Sequence, residues 1–100
     1  MENVKQQLID EIKKQIEAII EEIKESDEEI KIWEARVKVE QKMITMRDLP
    51  AEIAEDTKYS IIGLESMLFS EQNKNAELKK SLKTLEYREK LIDKFKDGDL

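Results

Sequence analysis

The sequence predicts an all-α protein, a long antiparallel helical hairpin with coiled-coil-like packing. Three observations lead there. Glycine occurs twice and proline once in 100 residues, so turns are scarce and strands would lack connections. Apolar residues recur at alternating spacings of three and four along two long segments. One strong helix-breaking point, Leu49-Pro50 in the stretch MRDLPAEIAED, stands near the middle of the chain.

The first helix is expected over about residues 3–47. Its seam is the seven-residue series Ile9, Ile16, Ile23, Ile30, Val37 and Ile44, joined three residues later by Ile12, Ile19, Ser26, Trp33 and Glu40. Trp33 falls on the seam side and reads as a core residue, or else as an interface anchor. The corner is expected at 47–50, because Pro50 lacks a backbone donor and drives Leu49 out of the helical region. A second helix is expected over about residues 50–96, with Pro50 in its first turn and Glu52, Glu55 and Asp56 complementing its N-terminus. Its seam runs through Ile61, Leu64, Leu68, Glu71, Asn75, Leu78, Leu82, Leu85 and Ile92. Gly98, after Lys94 and Lys96, marks its end. At 1.5 Å per residue each helix would run roughly 65–70 Å, and the whole chain forms a single helical domain.

A corner this short folds the helices back on each other. With its centre near residue 49, residue i is expected level with about residue 98 − i, which sets Ile30 beside Leu68 and Ile16 beside Leu82. The first seam falters at Ser26 and Asp27, the second at Glu71 and Asn75, at nearly the same height. A shared polar layer is a register-setting device. The plainer alternative is that both seams weaken there by chance.

The stretch KIWEARVKVEQKMITM carries more apolar residues than one seam uses. Ile32, Ala35, Val39, Met43 and Met46 lie away from the seam, whereas residues 5–25 show Glu, Lys and Gln there. The second helix repeats the asymmetry in YSIIGLESMLFS, where Tyr59, Ile62, Met67 and Phe69 are surplus to the seam. Ser60, Gly63, Ser66 and Ser70 add small side chains, and Gly63 is either tolerated or admits another backbone closely. Extra apolar surface at one end of a two-helix hairpin calls for a cover. A second copy would make a homodimeric four-helix bundle. A foreign protein, or a third helical segment folded back at a break near Ser26 or Asn73, would also serve. Methionine suits either kind of partner because it packs adaptably.

Composition narrows the functions. With no His and no Cys, the commonest general base, the most reactive nucleophile and the usual zinc sites are missing. Two glycines cannot build a phosphate-binding loop, and Arg36, Arg47 and Arg88 are too far apart along the predicted hairpin to converge. The expectation is no enzyme, no cofactor and no metal. A net charge of −6, with −3 in each half, speaks against direct nucleic-acid binding. No 18-residue apolar span and no leader-like run exist, so no membrane association and a cytoplasmic location are expected.

The expected function is therefore that of a non-catalytic protein–protein interaction module. It would be a self-associating hairpin that also binds a partner protein, with Ile32, Val39, Met43, Met46, Tyr59, Ile62, Gly63, Met67 and Phe69 as the dimer or partner interface. The alternative is a small acidic inhibitor of phage or mobile-element type that occludes a host nucleic-acid-processing or defence protein. It would present the run at Glu21, Glu22, Glu25, Asp27, Glu28 and Glu29, or that at Glu52, Glu55 and Asp56. Heptad-bearing hairpins resemble one another in architecture only, so the seam implies no family.

Overall fold

A computed structural model describes residues 3–100. Two helices, α1 (Val4–Ile44) and α2 (Ala51–Lys94), and a short 3-10 turn (Asp97–Asp99) account for the regular structure, with no strand among the described residues. The fold is the all-α antiparallel hairpin. Its chain divides into two units: an end unit of Met1–Lys24 with Ala76–Leu100, and a corner unit of Glu25–Asn75.

Each boundary has a local cause. Asn3 caps α1, its Oδ1 accepting the Lys5 amide at 3.0 Å. The helix ends at Ile44 rather than 47, because the chain tightens there. The amides of Thr45 and Met46 turn back to the carbonyls of Lys42 and Met43, and Thr45 Oγ1 also donates to Lys42 at 2.8 Å. At the start of α2, Pro50 stands just outside the helix and its carbonyl accepts the Ala54 amide at 2.9 Å. Proline thus contributes the first acceptor where its missing N–H has no consequence. The last turn closes at Lys94, and Gly98 sits in the 3-10 turn without a left-handed backbone, so it is not a glycine cap of the usual kind.

The seam positions of α1 are the shielded ones. From Ile9 to Ile44 the buried and half-buried residues recur at alternating steps of three and four, with Met43 the one addition. On α2 the same pattern runs from Thr57 to Ile92, with Ser60 the one addition. We letter the heptads so that Ile30 and Leu68 are a and Trp33 and Leu64 are d.

In the end unit, Ile12 and Leu85 are buried and Lys5 Nζ donates to the Asp93 carbonyl at 3.0 Å. In the corner unit, Asn75 Nδ2 donates to Ser26 Oγ at 3.2 Å and to Asp27 Oδ1 at 2.8 Å. The polar layer expected from the sequence is therefore a hydrogen-bonded one. Its register is 101 − i, not 98 − i. The offset has a packing reason. At 98 − i the a residue Ile30 would be level with the a residue Leu68, whereas at 101 − i each a position of the corner unit is level with a d position. Trp33 then stands level with Leu68 and Val37 with Leu64, so knobs of one helix face holes of the other.

The corner unit is unusual in what it buries. Its most shielded residues are Ser26, Thr57 and Asn75, with Val37 the one deeply buried apolar side chain. Thr57 satisfies its hydroxyl by donating to the Ile53 carbonyl at 2.7 Å. Among the described residues no buried polar side-chain atom lacks a partner. The bonded Ser26–Asn75 layer specifies register but adds little hydrophobic stabilisation of its own.

Candidate interaction surface

The deepest burial in the corner unit falls on polar residues, while many of its large apolar side chains stand outside the seam. Of the large apolar side chains that stand exposed among the described residues, eight belong to it: Ile32, Val39, Met46, Ile53, Tyr59, Ile62, Met67 and Phe69. The end unit has five, spread over Val4, Ile20, Tyr87, Leu91 and Leu100. The candidate residues named from the sequence are thus solvent-facing, except Met43, which is half-buried. Met46 lies beyond the end of α1, so its side chain extends from the corner and not from a helix face. Ile53, which the sequence reading passed over, belongs with them; it stands two heptads before Met67 and shares its position g.

These residues do not form one face. At about 100° per residue, positions c and g lie roughly 130° and 90° from the seam on one flank, and b lies about 130° away on the other. Ile32, Val39, Met43, Ile53, Gly63 and Met67 are c or g. Ile62 and Phe69 are b, and Tyr59, at f, points to the back of α2. The pairing of flanks is visible in the end unit. A groove of about 430 Å³ there is lined by Gln15, Ala18 and Ile19 of α1 with Ser81, Thr84, Leu85 and Arg88 of α2, all at c, d or g. Another of about 180 Å³, lined by Ile9, Lys13, Glu89, Lys90 and Asp93, gathers a, b and e positions. So an antiparallel pair joins c and g of both helices on one side. In the corner unit, the hydroxyl of Ser60, at g, donates to Glu40 Oε1 at 3.2 Å, as that pairing requires.

Gly63 is exposed, and a Cβ added there would meet nothing within 4 Å. Nothing in its own chain requires glycine, which weakens the helix by about 1 kcal/mol against alanine. Trp33 is half-buried on the seam, and the Arg36 guanidinium lies 4.6 Å from its ring centroid. On the b flank, Ala51, Ala54, Glu55, Lys58, Tyr59 and Ile62 line an open hollow of about 600 Å³ made by α2 alone.

The acidic residues named from the sequence are exposed: Glu21 and Glu22 in the end unit, and Glu25, Asp27, Glu28, Glu29, Glu52, Glu55 and Asp56 in the corner unit. Asp27 is engaged by Asn75. Among the described residues no cluster of carboxylates could hold a metal ion, and no helix is long and apolar enough to cross a membrane. The comparisons match this chain to no family model, no curated protein and no solved structure.

Proposed function

We propose that this chain is a non-catalytic interaction module whose first partner is a second copy of itself. Two hairpins pack their corner units into a four-helix bundle, and the charged exterior then meets a further protein. The observation that carries this reading is the exterior of the corner unit, where eight large apolar side chains stand exposed while the three most shielded residues are polar.

Mass action supplies the test. If association completes the core, the melting temperature rises with protein concentration. Because the contact is mainly apolar and the copies share a net charge of −6, that rise persists at high salt. A melting temperature independent of concentration contradicts self-association. A rise that vanishes in high salt assigns the association to charged surfaces instead.

A further inference from the structure

Resting on that reading of self-association, we infer which surface the second copy takes: the c and g flank of the corner unit, formed by Ile32, Val39 and Met43 of α1 with Ile53, Gly63 and Met67 of α2. Tyr59, Ile62 and Phe69 remain outside the self-interface.

Three observations bear on this flank. A four-helix bundle needs apolar residues from both helices of each hairpin, and only this flank has them. The opposite flank sets Ile62 and Phe69 of α2 beside Lys31, Glu34, Lys38 and Gln41 of α1. Secondly, Gly63 has open space where its Cβ would be, and it is flanked at the neighbouring c and g positions by Ser60, Met67 and Ser70. A helix-weakening residue that its own chain does not require fits a site where another backbone comes close.

Charge argues for a second copy in place of a foreign protein. Between residues 32 and 44 the one charged c or g residue is Arg36, and between 53 and 70 it is Asp56. With Arg36 on one helix, Asp56 on the other and the Glu40 carboxylate held by Ser60 at its edge, each copy offers both signs on this face, as a two-fold interface needs. This matters for a chain of net charge −6, whose copies repel over most of their surface.

Sedimentation equilibrium on three full-length variants tests the assignment. Val39→Glu is expected to weaken dimerisation at least 100-fold, while Ile62→Glu leaves the dissociation constant within a factor of three of the parent. Gly63→Ala is expected to weaken it about tenfold with helicity by circular dichroism equal or higher. That variant decides the matter should Val39→Glu lose its helical signal. If Ile62→Glu dissolves the dimer and Val39→Glu and Gly63→Ala do not, the second copy sits on the aromatic flank and the assignment is overturned. If the unaltered chain is monomeric throughout, self-association itself fails, a result distinct from a dimer built on the wrong flank.

Discussion

Asn75 shows how one side chain sets the relation of two helices. Its amide reaches Ser26 and Asp27 across the seam, and the two hydrogen bonds hold a layer that is otherwise deficient in apolar contact. Net contributions of such bonds are near 1 kcal/mol, with a further penalty when a buried partner is orphaned. Asn75→Ala is therefore expected to destabilise the chain by about 1–2 kcal/mol in urea unfolding. Replacing the layer outright, with Ser26→Leu and Asn75→Leu together, has the opposite sign: the melting temperature rises and register specificity falls. Disulfide trapping between cysteine pairs placed at 101 − i and at 98 − i reads the second effect. One trapped register in the parent and two in the double variant are expected. Thr57 is a different kind of buried polar residue, closed on its own helix, and carries no register information.

At the scale of the helix, burial separates seam from surplus. Leu85 and Val37 are among the few deeply shielded apolar residues, whereas Ile20 is half exposed. Leu85→Ala is expected to destabilise by about 2–3 kcal/mol, and Ile20→Ala by no more than about 0.5 kcal/mol, both by urea midpoint. The seams were legible in the sequence because alternating three- and four-residue spacing has one structural meaning over forty residues. The polar layer was legible because both seams falter at one height. Three things were not. The register was misplaced because a midpoint count treats the corner as symmetric, whereas a-to-d packing decides the offset. Thr57 was left out of the seam because its polar side chain hid a position that continues the spacing back from Ile61. The division of the candidate surface between two flanks was not drawn, since a residue off the seam of one helix can stand on either side. Only pairing the two helices shows that Met67 joins Val39 and that Ile62 does not.

The whole molecule presents an imbalance that its own chain does not resolve. A corner unit with a half-buried apolar seam and with Val39, Ile62 and Phe69 in solvent leaves apolar surface without a cover. On the proposed reading a second copy would cover it without new sequence, and a closed two-fold contact would stop there without growing into a filament. The charged residues along both helices would then remain available to other proteins. The measurement that tests this account most directly is the solution mass by light scattering at low micromolar concentration. The account predicts twice the 11.8 kDa of one chain. A mass of one chain there, unchanged as concentration is raised a hundredfold, would contradict it.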